Sequence, residues 1–223
     1  MEISVESLER AVAAERGGAS RIELCDSLDV GGVTPSVELM RETRACVWAP
    51  IFAMVRPRAG DFVYSAAEFE AMKQSIEVAR AAGIDGIVLG LLKENRQVDV
   101  ERTRELVRAA APLPVTFHRA FDESSDLFVA LEDVVATGVS RLLTSGGMLR
   151  APEAAERIGE LVRCAAGRVI VMPGSGITAE NAAEIVAETG ATEIHAGLSS
   201  AVTGDAEAAA FEKEVRRLVL TIG

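Results

Sequence analysis

Seven times along this chain an amphipathic stretch stops at a glycine or proline and a short apolar, β-rich run follows. An eighth run of the same kind opens the sequence. Glycine punctuates ERGGASRIELC, RAAGIDGIVLG, VATGVSRLLTS, CAAGRVIVM and ETGATEIHA, and proline punctuates WAPIFAMV and APLPVTFH. Glycine takes the left-handed position that ends a helix at low cost, and proline cannot continue one. The eight runs predict strands over Glu2–Val5, Arg21–Cys25, Ile51–Arg56, Gly86–Gly90, Pro114–His118, Arg141–Ser145, Arg168–Pro173 and Thr192–Ala196. Helical spacing follows them, as in Phe69, Met72 and Ile76, or Phe211, Val215, Leu218 and Val219. Eight strand–helix units within 223 residues predict one α/β domain over 1–223, a closed parallel (β/α)8 TIM barrel. An open doubly wound sheet is the alternative, but it usually has fewer strands. The runs read as apolar on both faces except near their C-terminal ends, as strands covered by helices should.

Charge and cysteine count narrow the function. Lys and Arg total 23 against 34 Asp and Glu, a net charge of −11, which disfavours binding to a phosphate backbone. No apolar run reaches membrane-spanning length, and the first residues carry no secretory pattern. The three cysteines, Cys25, Cys46 and Cys164, are odd in number and widely spaced, which fits a reduced cytoplasmic protein.

In a barrel of this kind chemistry gathers where strands end. Side chains alternate along a strand, so Glu23 and Cys25 share one face, Thr116 and His118 another, Glu193 and His195 a third. The aliphatic residues take the opposite parity. The polar set is therefore expected to face the lumen, with Glu23, Arg56, His118, Arg119 and His195 converging in one pocket. The loops add Arg58, Asp61, Asp122 and Ser145, and the turn Gly174-Ser175-Gly176 precedes a helix expected to be capped by Thr178. Arg56, Arg58 and Arg119 suit a carboxylate or phosphate ligand, and free N–H groups of the glycine turn suit an anion, with Gly197 to Ser200 completing the cradle. In that reading His118 or Glu23 moves a proton and Asp122 or Asp61 orients it. Plainer readings stand beside these. The turn is then only a tight turn, the arginines form a structural network with Glu23, Asp61 or Asp122, and Cys25 is a small packing residue.

The segments RIELCDSLDVGGVTPS, VRPRAGDFVYS, PVTFHRAFD, RLLTSGG and VMPGSGIT resemble the signature segments of the CutC family of copper homeostasis proteins. The resemblance runs to about His195. It implies a cytoplasmic (β/α)8 barrel that forms homo-oligomers, commonly dimers, and a role tied to copper. Copper as a ligand is implied by the resemblance alone, and Cys25, His118 and His195 would then be its ligands. Many relatives carry cysteines in the first strand and after the last histidine, where this chain has Ser4-Val5 and Ala196-Gly197. Two functions are therefore weighed. One is a CutC-like copper homeostasis protein that binds or handles Cu(I). The other is a barrel enzyme acting on a small anionic or phosphorylated metabolite at the C-terminal mouth.

Overall fold

The computed structural model describes residues 1–198 and 205–222. Eight strands are present: β1 Glu2–Val5, β2 Arg21–Leu24, β3 Ile51–Met54, β4 Gly86–Leu89, β5 Val115–Phe117, β6 Arg141–Thr144, β7 Ile170–Pro173 and β8 His195–Ala196. They alternate with α1 Leu8–Gly17, α2 Val37–Cys46, α3 Ala66–Ala81, α4 Val100–Ala110, α5 Leu127–Thr137, α6 Ala155–Ala165, α7 Ala182–Thr189 and α8 Asp205–Ile222. The strands form one parallel sheet in the order β7-β6-β5-β4-β3-β2-β1-β8, a nearly closed (β/α)8 barrel. Glu2 pairs with Arg21 on one side and with His195 on the other, so β1 joins the last strand to the second. No ladder joins β7 to β8 among the described residues.

Local chemistry sets the helix ends. Ser7 accepts from the Arg10 amide to start α1, and Gly18 ends it at φ 97°, where a side chain would be strained. Ser65 and Glu68 close a reciprocal capping box at α3, and Asp126 accepts two amides at α5. One strand parity, including Ile3, Val5, Ile22, Leu24, Ile51, Ala53, Ile87, Leu89, Val115 and Phe117, packs with the helices in one large core.

The strands are shorter than the sequence predicts. Cys25, Arg56, Gly90, His118 and Ser145 lie just past a strand end, in the loops. The last strand is two residues long because only Glu2 and Ile3 pair with it. Arg168 precedes β7; its guanidinium binds the Ala165 and Cys164 carbonyls and Glu132.

The lumen departs from expectation at its lower end. Arg21 donates to Glu2 and Glu193, and to the Met172 sulfur at 3.3 Å, while Arg141 donates to Glu193 at 2.8 Å. Both guanidinium groups lie over the Phe52 ring, 5.0 and 5.5 Å from its centre. Charged residues thus occupy the N-terminal ends of the strands as well as the C-terminal ends. Each charge has an opposite partner, the condition for burying them.

Candidate functional site

Above that ion lattice lies a cavity of about 310 Å³, and Glu23, Arg56, His118, Arg119, Asp122 and His195 all line it. They come from β2, β8 and the loops after β3 and β5. Ser4, Met54, Phe62 and Leu143 complete much of the wall.

His195 occupies one wall, held from behind. Its Nδ1 donates to Glu2 Oε1 at 2.8 Å, and Glu2's other oxygen receives Arg21. Its Nε2 faces Glu23 Oε1 at 4.0 Å. Burial opposes charge on all three groups, but the outcomes differ. Hydrogen bonds from His195 and Arg21 hold Glu2 down at about 2 despite its burial. Burial pushes Glu23 up to about 7. Burial works against the His195 cation, yet Glu23 and Glu2 together raise its pKa above the usual imidazole range. Glu23 Oε2 is buried with no hydrogen-bond partner among the described residues.

His118 is another buried histidine of the cavity, and it is a different chemical species. Its Nδ1 accepts the Ala120 amide at 3.1 Å, so in the neutral ring the proton must sit on Nε2. Burial, then the positive charges of Arg56 and Arg119, depress its pKa to about 3. His118 is therefore a neutral donor at ordinary pH. Its Nε2 is buried and finds no partner among the described residues. Gly90 makes room for the ring: a Cβ there would lie 2.5 Å from His118 Nδ1.

The arginines divide their work. Arg56 donates to the Val30 and Gly32 carbonyls at 3.0 Å each and to Gly60 at 2.8 Å, clasping two loops, and only its buried Nε lacks a partner. Arg119 is anchored through Nε to Asp122 at 2.9 Å and through Nη2 to Ser145 at 2.9 Å, with its side chain 39% exposed. Asp122 accepts from Arg119, Thr144 Oγ1, and the Ser145 and Gly147 amides. Its oxygens are saturated, so it positions Arg119 and has no free lone pair for proton transfer.

Several expected members lie elsewhere. Arg58 and Asp61 pair at 2.9 Å, with Arg58 also on Glu68 and the Val63 carbonyl, outside the cavity. Ser145 stands behind Arg119 rather than on the wall. Gly174 is pressed against His195 from behind; a Cβ would lie 3.2 Å from the His195 Cβ. Ser175 donates to the Leu149 carbonyl at 2.8 Å, and Gly176 lies against the Arg150 side chain. The helix does not follow the turn directly. Thr178 opens a separate turn whose amide is held by Asn181 Oδ1 at 2.9 Å, and α7 starts at Ala182. Of the segment expected to complete the cradle, Ser199 and Ser200 lie outside the described residues.

The set Cys25, His118 and His195 is not brought together. Among the described residues, the group with ligand atoms within 4.8 Å of one another is Glu2, Glu23 and His195. Cys25 is fully buried beside Phe52, Met54 and Val88, donates to the Val5 carbonyl at 3.5 Å, and burial pushes its thiol far up. Glu2 and Arg21 escaped the sequence reading. Their parity matches Ser4 and Glu23, the one signal that could have found them.

Residues 1–200 match the sequence model of the CutC family. A CutC family protein of Chromobacterium violaceum is 49% identical over 196 residues, 88% of this chain and 79% of its own length. The human copper homeostasis protein cutC homolog is 48% identical over 200 residues, 90% of this chain and 73% of its own. A solved CutC structure from Streptococcus agalactiae superposes with a TM-score of 0.82 at 35% identity, covering 87% of this chain and 96% of that one.

Proposed function

Since the chain belongs to the CutC family, we propose that it serves copper homeostasis in the cytoplasm through a cavity that binds a small anionic metabolite, rather than through a thiolate cage for Cu(I). The buried, unpartnered Nε2–H of His118 carries this reading. A buried donor without an acceptor costs on the order of 1–3 kcal/mol, and a ligand oxygen removes that cost. Arg119 lines the same cavity with its side chain 39% exposed, so a carboxylate or phosphate placed on it enters the cavity that His118 also lines. The bound anion is stabilised by these two groups, and Arg56 and Asp122 hold the surrounding loops in place.

Cu(I) prefers soft thiolate and thioether ligands. Cys25 is the cysteine closest to this region of the barrel, and it is a buried, protonated thiol already bonded to a carbonyl; Cys46 and Cys164 are exposed elsewhere. The cytoplasm fits three unpaired cysteines, and no helix among the described residues is long and apolar enough to cross a membrane. A homodimer, as the family resemblance implies, would have the Trp48 side chain, 93% exposed, available as an anchor.

The test pairs calorimetry using phosphate with a competitive Cu(I) titration against a chromophoric chelator. Phosphate is expected to bind, and Arg119→Ala to abolish that binding, while Cu(I) stays on the chelator. Tight one-to-one Cu(I) uptake that vanishes in Cys25→Ser overturns the reading.

A further inference from the structure

We infer that Glu23 and His195 form a binding site for a divalent transition-metal ion, with Glu2 holding His195 in the ligating orientation. The site lines the same cavity as the anion-binding groups His118 and Arg119 and is independent of the Cu(I) question. His195 donates Nδ1–H to the buried Glu2 carboxylate, which directs Nε2 into the cavity. A carboxylate behind a histidine, fixing its tautomer and ring plane, is the usual support for a metal-bound imidazole.

The opposing atom is Glu23 Oε1, 4.0 Å from Nε2. That is too long for a hydrogen bond. Two ligands on a tetrahedral cation, each about 2.0–2.2 Å from it, stand about 3.3–3.6 Å apart, so the pair needs to close by only about half an ångström to share one ion. Glu23 itself is 3% exposed, and its Oε2 has no donor among the described residues.

A second, separate atom points to a bound group in the same cavity. His118 Nε2 is a buried donor without an acceptor and belongs to a different loop. Among the described residues, the cavity lining thus holds one acceptor lacking a donor, Glu23 Oε2, and two donors lacking an acceptor, His118 Nε2 and Arg56 Nε. A hydrated cation answers Glu23 and His118: the metal takes Glu23 and His195, and an oxygen on the metal accepts the His118 Nε2–H hydrogen bond.

Glu2 is neutralised by Arg21, which leaves Glu23 facing the His195 ring; a cation entering there displaces the Nε2 proton and takes over the balance of the Glu23 charge. One imidazole and one carboxylate, with the remaining positions open to water or to a ligand oxygen, suit Zn²⁺ or Mn²⁺ and do not suit Cu(I).

The experiment is calorimetric titration of the metal-free protein with ZnCl2, in a background where the exposed Cys46 and Cys164 are replaced by serine. One equivalent is expected to bind. Glu23→Gln and His195→Gln should each weaken binding at least about tenfold, and Glu2→Gln about 10–100-fold, as loss of a supporting partner does. Cys25→Ser should leave it unchanged. The Nε2 resonance of His195 in a nitrogen–proton NMR spectrum gives a readout that needs no variant, because zinc must shift it while the His118 Nδ1 signal keeps its Ala120 bond. Absence of binding at millimolar ZnCl2, an unmoved His195 Nε2 signal, or binding that survives both Glu23→Gln and His195→Gln overturns the inference.

Discussion

Glu2, the first residue of the first strand, accepts a hydrogen bond of 2.8 Å from His195, the first residue of the last. The contact spans the pairing between β1 and β8, so one carboxylate both joins the ends of the sheet and orients a cavity histidine. Glu2 is fully buried and also receives Arg21. Replacing it with glutamine leaves Arg21 less well paired inside the barrel. Glu2→Gln is expected to destabilise the protein at pH 7 by about 3–5 kcal/mol, as loss of one partner of a buried pair does. The pH dependence follows from the lowered pKa. Glu2 contributes its stability above the ordinary 4.5 and loses it as pH falls towards about 2. Urea unfolding between pH 7 and pH 2.5 should show that loss in the wild type and a flatter acid limb in Glu2→Gln.

Glu23 has the opposite sign. Its folded pKa of about 7 lies above its ordinary 4.5, so the folded state keeps a proton that the unfolded chain has released. Between those values each rise in pH costs stability. Glu23→Gln removes the titration. With a chelator present, the variant should match the wild type at pH 4.5 and exceed it by up to about 3 kcal/mol at pH 8. Equal wild-type and variant stabilities across that range would contradict the buried carboxyl.

Gly90 and His118 are coupled by space. A methyl group at 90 would lie 2.5 Å from His118 Nδ1 and 3.0 Å from the Ala120 Cβ. Gly90→Ala must push the ring away and break its bond with the Ala120 amide. A loss of about 1–3 kcal/mol is expected from overpacking. Phosphate affinity should fall with it, and the His118 ring signals in NMR should move more than those of His195.

Cys25→Ser is expected to cost about 1 kcal/mol, because a hydroxyl can donate to the Val5 carbonyl in place of the thiol while losing some apolar contact with Met54 and Phe52. Thermal unfolding measures the cost. The Cu(I) titration of the variant should overlay that of the wild type.

Much of the barrel was legible in the sequence because two periods coexist in it. Strand parity alone placed Glu23, His118 and His195 on the lumen side, and glycine and proline placed the seven junctions at which a helix gives way to a strand. The ends of strands were less legible, since a ladder stops where backbone partners stop, as at His195–Ala196. What an arginine does was least legible. Arg56, Arg58 and Arg119 look alike in sequence, yet Arg56 binds three backbone carbonyls, Arg58 closes its own loop outside the cavity, and Arg119 lines the cavity with part of its side chain open to solvent. Carbonyl acceptors carry no residue identity, so no motif announces them. Glu2 was missed for a related reason. One acidic residue at the head of a strand reads as a surface residue until its partners, Arg21 and His195, are known to come from two other strands.

The layer formed by Arg21, Glu193, Arg141 and Phe52 closes the lower end of the lumen. That layer shuts the cavity from below, which leaves the C-terminal mouth as the side for arrival and departure. Glu23 and His195 are deeply buried, and Arg119 stands nearer the doorway. Occupants of the two proposed sites therefore queue: a cation on Glu23 and His195 goes in before an anion on Arg119 and comes out after it. Steady-state kinetics or binding transients would register this as a compulsory order, with the anion trapping the metal and never the reverse.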